Sequence, residues 1–364
     1  MELTTILPTA FQHRGHKLRL KAPLITGAAA LGLLGAATPS ALADQPGTEH
    51  LRVTVNSAQP QVHGLTDSAS DATCTINQIM VNRYSECEWV AVHVDVMREV
   101  NGTPTVVGTV DYDVKHQMTL LANSANWSET FTVSKARVTR EGNDVHVNIA
   151  ATSGGGTKAT VHFSQGHILD SGTANGSIDY TTAAIPKGTV NPKAKTHYTY
   201  TFTKPGIISG SVSYDSAVYR CDNYYGSSRA SRSGCAIPEA PTAVSMVGIP
   251  YINDGIRKLR ANGGHYGDPN GGQPLHWMIN PTQEDKNRKA VCSVPVPPDM
   301  QSAGRTSCDE YPFASTYEGG THLPENQREI TWVNVQENRS QGGTITAWRN
   351  KMHVMDGDPF YVIV

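Results

Sequence analysis

Apolar and polar residues alternate along much of the first two thirds of the chain. Across residues 88–96 the even-numbered positions are mostly apolar. Two further runs alternate in the same way: Val145, Val147 and Ile149, and Tyr198, Tyr200 and Phe202. Turn-forming pairs such as Asn101-Gly102 separate the runs, and such alternation between turns is typical of half-buried strands. The pattern predicts an all-β domain over residues 44–235, with an antiparallel, sandwich-like arrangement.

The pattern changes after a proline-containing segment, residues 236–244, which we interpret as a linker. Ile252, Ile256 and Leu259 then recur at helical spacing, which predicts a helix from Pro250. The further predicted elements are a polar helix at 281–290, a strand at 329–335, a helix around Trp348 and an apolar strand at 360–364. This mixture predicts a second, small α+β domain over residues 245–364.

The N-terminus has the three parts of an export signal. Basic residues at positions 14–21 precede an apolar stretch at 24–37, and Ala41-Leu42-Ala43 forms a small-residue cleavage motif. This order predicts a signal peptide over residues 1–43 and a secreted, extracellular protein that begins near Asp44. The alternative is a membrane anchor, but the apolar stretch is shorter than the roughly 20 residues that span a bilayer. We therefore expect no stable membrane insertion.

Six cysteines follow the predicted cleavage site. They form three local pairs: Cys74 with Cys87, Cys221 with Cys235, and Cys292 with Cys308. Disulfides are the expected state in the oxidising compartment that an exported protein meets. Many connectivities are open to six cysteines, and we favour neighbouring pairs because each brackets one short loop. A zinc site is the alternative, but the sequence has no C-x-x-C or H-x-x-x-H spacing.

Three carboxylates crowd one short C-terminal segment. Asp309, Glu310 and Glu318 lie within ten positions, next to Gly319-Gly320. Burying like charges without partners is costly, and a hard cation such as Mg²⁺ or Mn²⁺ would relieve that cost because it prefers oxygen ligands. Asn338 adds a neutral oxygen further along the chain. A solvated acidic turn, or a carboxylate paired with arginine, stays open as an alternative.

Five short motifs follow one another in the C-terminal region. They are Asp309-Glu310-Tyr311-Pro312, Glu318-Gly319-Gly320, Glu337-Asn338-Arg339, Trp348-Arg349-Asn350, and Asp356-Gly357 before an apolar C-terminus. This ordered series resembles the NucA/NucB family of deoxyribonucleases. The similarity spans roughly residues 245–364, and it leaves the β-rich region without an assigned role.

The resemblance implies a secreted DNA endonuclease with a ββα-metal core, which hydrolyses phosphodiester bonds with little sequence specificity. By position in the motifs, Asp309 is the expected general base and Glu310 its substitute. Glu318 and Asn338 are expected at a divalent metal, Mg²⁺ or Mn²⁺. The basic residues expected to contact DNA phosphates are Lys286, Arg288 and Arg339.

Charge limits how DNA could be held. The net charge is −2, and residues 236–364 contain 11 Lys and Arg against 14 Asp and Glu, which gives −3. No overall basic field attracts nucleic acid. We therefore expect DNA binding through local basic residues, with modest and salt-sensitive affinity.

Some positions depart from the family pattern. Tyr317 stands where some members carry a second acid, and Ser307 and Cys308 stand where some carry an acid and an arginine. The inserted loop 321–325 contains His322, an alternative catalytic histidine. These departures bear on how a metal is held more than on the class of reaction.

A second class of function is also open: a cell-surface or glycan-binding protein whose nuclease-like domain is inactive. The intact acids Asp309, Glu310 and Glu318 favour the enzyme. A cell-wall or other polymer ligand for the β-rich region remains an open hypothesis, and the sequence does not define the oligomeric state.

Overall fold

A computed structural model describes residues 49–55, 60–62, 74–225 and 232–364. The predicted signal peptide, residues 1–43, and the predicted mature start near Asp44 lie outside these residues. The β-rich and C-terminal regions belong to one compact unit, Pro39–Val364. Among the described residues, no helix has the length and apolar character needed to cross a membrane.

The β-rich region contains fifteen strands within the described residues. They are β1 (His50–Val55), β2 (Pro60–Val62), β3 (Gln78–Val81), β4 (Ser85–Val100), β5 (Thr103–Leu121), β6 (Ser124–Val133), β7 (Arg137–Arg140), β8 (His146–Ser153), β9 (Thr157–His162), β10 (His167–Ile168), β11 (Ala174–Thr182), β12 (Thr196–Lys204), β13 (Ile207–Asp215), β14 (Arg220–Asp222) and β15 (Gly234–Ala236). The strands β4 and β5, of 16 and 19 residues, form a long antiparallel hairpin.

Strands β1 to β13 join in one large half-barrel sheet. Most neighbours are antiparallel, as the alternation predicts. The sheet differs from the expected sandwich because β1 pairs with β4 on one side and with β13 on the other, where His50 faces Ile208. The pairing of β1 with β13 joins the strands β13, β12, β8 and β10 to the remaining strands, so β1 to β13 form one continuous sheet.

The inward face of the half-barrel carries the core. On β4, Val90, Val92, Val94 and Val96 are all at most 3% exposed, as expected where side chains alternate between the two faces of a strand. The same alternation also directs Glu88 inward, where it is fully buried and neither carboxylate oxygen has a hydrogen-bond partner among the described residues. Burial raises the pKa of Glu88 well above its usual value.

The C-terminal region combines helices with two small sheets. Its elements are β16 (Thr242–Ser245), α1 (Pro250–Ala261), β17 (Leu275–His276), α2 (Pro281–Cys292), α3 (Pro298–Ser302), β18 (Ser307–Tyr311), a 3-10 turn (Glu325–Gln327), β19 (Glu329–Val333), α4 (Val335–Met352) and β20 (Pro359–Ile363). The strand β20 lies between β16 and β17, whereas β18 and β19 form an antiparallel pair. The α+β character predicted for this region is confirmed.

Local sequence signals explain where the helices begin. Pro250 starts α1, and Ile252, Ile256 and Leu259 are buried against the core, at most 5% exposed. The side chains of Asn280 and Asn334 cap α2 and α4 by accepting hydrogen bonds from the backbone N–H groups of Gln283 and Glu337. Polar residues of both helices contact β18: Arg288 of α2 bonds to Glu310, and Asn338 of α4 bonds to the Cys308 carbonyl oxygen.

The segment interpreted as a linker, residues 236–244, is buried except at Glu239 and Pro241. Ile237, Ala240 and Ala243 are each at most 1% exposed, and Thr242 begins β16. The segment is therefore part of a packed junction rather than an exposed connection. The proposed limits of the two domains, 44–235 and 245–364, remain predictions.

Charged side chains cross this junction. The Arg83 guanidinium, from the β-rich region, donates hydrogen bonds to the carbonyl oxygens of Met352 and His353 and, at 2.6 Å, to Asp358. Arg220 donates to the same carboxylate at 2.7 Å. All three charged side chains are at most 5% exposed, so the end of α4 and the turn before β20 are held by the β-rich region.

The structure pairs the six cysteines as sequence neighbours. Cys74 pairs with Cys87, Cys221 with Cys235, and Cys292 with Cys308, and none of the described cysteines is free. The last pair joins the end of α2 to β18 and thereby fixes the strand that carries the first acidic motif.

Candidate active site

The strand β18 presents two buried acids to opposite sides. Asp309 and Glu310 are 5% and 6% exposed, and consecutive residues of a strand face in opposite directions. Asp309 lies near the Gln341 side chain of α4, whereas Glu310 pairs with Arg288 of α2. One strand therefore supplies one acid to each of the two flanking helices.

Burial favours the protonated form of the Asp309 carboxyl. Burial, with a further contribution from the nearby Glu310 charge, raises the pKa of the Asp309 carboxyl to about 8. The Gln341 amide acts in the opposite direction, although its Nε2 atom is buried with no partner within hydrogen-bond distance among the described residues. We therefore regard Gln341 as a neighbouring dipole. The site combines a desolvated acid with an unused amide donor.

Glu310 has a cationic partner. Arg288 Nε donates to Glu310 Oε1 at 3.2 Å, and the same guanidinium donates to Glu284 at 3.1 Å. Burial raises the pKa of Glu310, and Arg288 opposes that rise. Because Arg288 already pairs with two carboxylates, its positive charge is partly neutralised within the protein. For Glu310 the structure therefore shows a carboxylate paired with arginine, which was one of the alternatives given by the sequence.

Glu318 is held by His276, a residue outside all the sequence motifs. Its carboxylate accepts hydrogen bonds from the backbone N–H of His276 at 2.9 Å and from His276 Nδ1 at 2.8 Å. The Glu318 side chain is 12% exposed, against 42% for His276. No spacing signal in the sequence links these residues, which are 42 positions apart; the pairing arises because β17 passes beside the glycine turn.

Asn338 connects α4 to β18. Its Nδ2 atom donates to Ser307 Oγ at 2.9 Å and to the Cys308 carbonyl oxygen at 3.0 Å. The amide oxygen is thus the atom left for a ligand. The preceding residue, Glu337, accepts hydrogen bonds from the backbone N–H groups of Tyr251 and Ile252, where an acid stabilises the N-terminus of α1.

The remaining predicted residues lie at the surface. Lys286 on α2 and Arg339 on α4 are exposed. His322 is exposed too and lines a cavity of about 470 Å³ together with Tyr317 and Asp356. Asp356 accepts hydrogen bonds from the Tyr317 hydroxyl, at 2.9 Å, and from the backbone N–H of Ile279. The tyrosine that replaces a family acid therefore fixes the loop just before Glu318.

The described residues contain one cluster of side chains of the types that bind metals. Among the described residues, only Cys292, Cys308 and Glu310 form a group of three His, Cys, Asp or Glu ligand atoms within 4.8 Å of one another. Its two sulfurs form a disulfide, and a disulfide offers no thiolate. Asp309 and Glu318 belong to no such group among the described residues. Their carboxylate oxygens and the Asn338 amide oxygen are of the ligand type that Mg²⁺ and Mn²⁺ prefer, and such ions commonly use one or two protein ligands completed by water and substrate phosphates.

Comparison with known proteins identifies this region. Residues 270–363 match the family model described as "Deoxyribonuclease NucA/NucB". No curated protein and no solved structure matches the chain. The matched residues contain β18, β19, α4 and all four residues expected at the base and metal positions, and the β-rich region lies outside the match. Within its C-terminal part, residues 270–363 of this chain are thus similar to the deoxyribonuclease NucA/NucB domain.

Proposed function

We propose that the protein is a secreted, metal-dependent deoxyribonuclease that cuts DNA internally with little sequence specificity. The observation that carries the proposal is the place of Asp309 within the family match: a buried carboxyl on β18 whose pKa is raised to about 8. A general base works best when its pKa lies near the working pH. The order of β18, β19 and α4 supports a ββα-metal arrangement.

In the proposed reaction, Asp309 accepts a proton from the attacking water. The water oxygen bonds to phosphorus while the bond from phosphorus to the leaving sugar oxygen breaks, and the leaving oxygen takes a proton from solvent. Glu318 and the Asn338 amide oxygen would hold the metal, and a bound Mg²⁺ or Mn²⁺ supplies positive charge for the phosphate and the leaving oxygen. His276 keeps the Glu318 carboxylate oriented through its two hydrogen bonds, and Lys286 and Arg339 are the exposed cations for neighbouring phosphates.

Plasmid cleavage tests the proposal. Mature protein should nick and linearise plasmid DNA with Mg²⁺ or Mn²⁺ and should be inactive in EDTA. Asp309→Asn keeps the size and polarity of the side chain but cannot accept the proton, so the rate should fall by roughly 10²- to 10⁴-fold while the protein stays folded. A folded Asp309→Asn variant with full activity would exclude Asp309 as the base.

The metal role of Glu318 is separable from the base role of Asp309. Glu318→Gln should weaken metal affinity, so excess metal should partly restore cleavage, whereas it should not restore Asp309→Asn. Asn338→Ala should resemble Glu318→Gln more mildly. If the parent protein cuts no DNA with any divalent metal, the second function class, a surface or glycan-binding protein with an inactive domain, becomes the explanation.

A further inference from the structure

The cavity of about 470 Å³ beside the loop 321–325 is lined in part by His322. Its other lining residues come from the segment before α2 and the start of α2, from the turn that precedes β20, and from Tyr317. Met278 is its buried apolar residue, 5% exposed, whereas Tyr317, His322 and Asp356 are exposed. The cavity thus has an apolar interior and a mouth that is aromatic and polar.

The cavity lies on the same face as the residue that orients Glu318. Trp277 and Thr316 form an antiparallel bridge and are both buried. In this register His276 and Tyr317 are directly opposite each other, and the Tyr317 N–H donates to the His276 carbonyl oxygen at 3.1 Å. Alternation along the two strands turns both side chains to the solvent face, where Cβ atoms of such pairs are about 5 Å apart. Because His276 Nδ1 bonds to Glu318, the aromatic wall of the cavity stands beside the proposed metal ligand.

The charge of the cavity does not suit a phosphate. Among the described residues that line it, none is a lysine or an arginine, whereas Asp356 contributes a carboxylate. This carboxylate accepts hydrogen bonds from the Tyr317 hydroxyl at 2.9 Å and from the Ile279 N–H at 2.7 Å. Each carboxylate oxygen can accept a second hydrogen bond. A neutral ligand with N–H donors therefore fits the cavity better than an anion does.

The Tyr317 ring supplies a flat surface at the mouth. It is 49% exposed, and its hydroxyl is bonded to Asp356. An aromatic ring that is already held in one orientation loses little conformational entropy when a planar ligand stacks on it. In DNA the planar groups that carry N–H donors are the bases. The ring and the carboxylate together therefore match a nucleobase.

We propose that this cavity binds an unpaired nucleobase of the cut strand, close to the bond that is cut, with the base stacked on Tyr317 and its N–H groups directed to Asp356. The inference rests on the proposed deoxyribonuclease function and names the preferred substrate as single-stranded or locally unpaired DNA. In a duplex the base must first leave the stack, which costs free energy. Stacking accepts every base, so the cavity is compatible with little sequence specificity.

An abasic nucleotide tests the cavity. In an end-labelled single strand of roughly 20 nucleotides, longer than the usual single-strand binding sites, one base is removed and the cleavage ladder is compared with that of the intact strand below KM. The full mature protein should leave a gap at one bond, at a fixed offset from the abasic nucleotide. Cleavage there should fall roughly 5- to 150-fold because stacking is lost.

Two variants separate the ring from the hydroxyl. Tyr317→Phe keeps the ring and should keep the gap. Tyr317→Leu removes the ring, so it should cut the intact strand less, by a similar factor, and should show no gap. If Tyr317 only fixed the loop before Glu318, both variants would lose activity alike, excess metal would restore it, and the gap would persist in both. That result, or a ladder without a gap for the parent protein, would overturn the proposal.

Failure of the deoxyribonuclease function gives a different result. In that case the parent protein cuts no strand with any divalent metal, and the cavity is decided by binding. Fluorescence anisotropy in EDTA should then give a Kd for the intact strand that is higher for Tyr317→Leu than for the parent and for Tyr317→Phe. Equal Kd values for the three proteins would overturn the nucleobase site.

Discussion

Asp309, the proposed general base, is a buried carboxyl whose ionisation opposes folding. In an unfolded chain an aspartate loses its proton near pH 4, whereas in the folded protein burial raises the pKa of Asp309 to about 8. As pH rises between these values, the unfolded state releases the proton first, so the contribution of Asp309 to the free energy of unfolding falls. The site is thus least stable, without metal, where we expect it to be most active.

This linkage predicts a pH-dependent gain in stability for Asp309→Asn. Asparagine cannot ionise, so in EDTA the variant should melt at a higher temperature than the parent at pH 8, and the two should converge near pH 4. The difference could reach several kcal/mol at pH 8, because each unit of pKa shift corresponds to about 1.4 kcal/mol. Thermal melts across pH provide the measurement.

A control for this prediction is Asp285→Asn. The Asp285 side chain lies on α2, is 58% exposed and pairs with Lys289, so its replacement should change the melting temperature little at any pH. If Asp309→Asn raised the melting temperature by the same amount at every pH, the gain would come from packing and not from ionisation.

At the scale of elements, β18 depends on its covalent tie to α2. The Cys292–Cys308 bond closes a separation of 16 residues and places the neighbours of Asp309 and Glu310 against α2. Replacing both cysteines by serine should cost about 3 kcal/mol of stability in the chain-entropy model. It should also reduce DNA cleavage per folded molecule, because β18 loses its fixed position.

The disulfide Cys74–Cys87 offers the comparison. It closes a similar separation of 13 residues in the β-rich region, so its double serine variant should lose comparable stability while cleavage per folded molecule stays close to that of the parent. Chemical denaturation and plasmid cleavage on the same samples measure both effects. Equal loss of cleavage in the two variants would contradict a specific role for Cys292–Cys308.

Elements were predicted well where local pattern decides them. Ile252, Ile256 and Leu259 have helical spacing, and α1 buries all three. The sequence is less informative where the interacting residues are far apart in the chain. Glu318 is held by His276. Asp309 and Glu310 are buried because α2 and α4 pack on β18. Arg83 also contacts the segment 236–244, through a hydrogen bond to the Ile237 carbonyl oxygen. No local sequence pattern predicts this contact, because the two residues are far apart in the chain.

At the scale of the whole molecule, the junction between the two regions contains a buried ion network. Asp358 accepts from both Arg83 and Arg220, and these two charges lower its pKa against the effect of burial. In an Arg83→Met variant Asp358 keeps its pairing with Arg220. The carbonyl oxygens of Met352 and His353 and the Asp358 carboxylate nevertheless lose buried hydrogen bonds from a charged donor. Arg83→Met should therefore lower the free energy of unfolding by about 3 to 5 kcal/mol.

Arg52→Met is the matched control for this prediction. Arg52 also pairs with an aspartate, Asp95, but its side chain is 58% exposed, so its loss should cost at most about 1 kcal/mol. Denaturant unfolding of both variants makes the comparison. Similar costs for the two arginine variants would contradict a special role of the buried network. A fragment from about residue 240 lacks both Arg83 and Arg220, so we expect it to be less stable than the same residues within the full chain.

The network at Asp358 also bears on how such a protein can change through inheritance. A nuclease region that reached another gene by recombination would carry Asp358 without Arg83 and Arg220, and would present this carboxylate to water or to a new neighbour. A β-rich region transferred by itself would likewise expose two arginines that have lost Asp358. Exchange of the two regions together keeps the buried network, whereas a region that moves alone must find a new cover for the same surface.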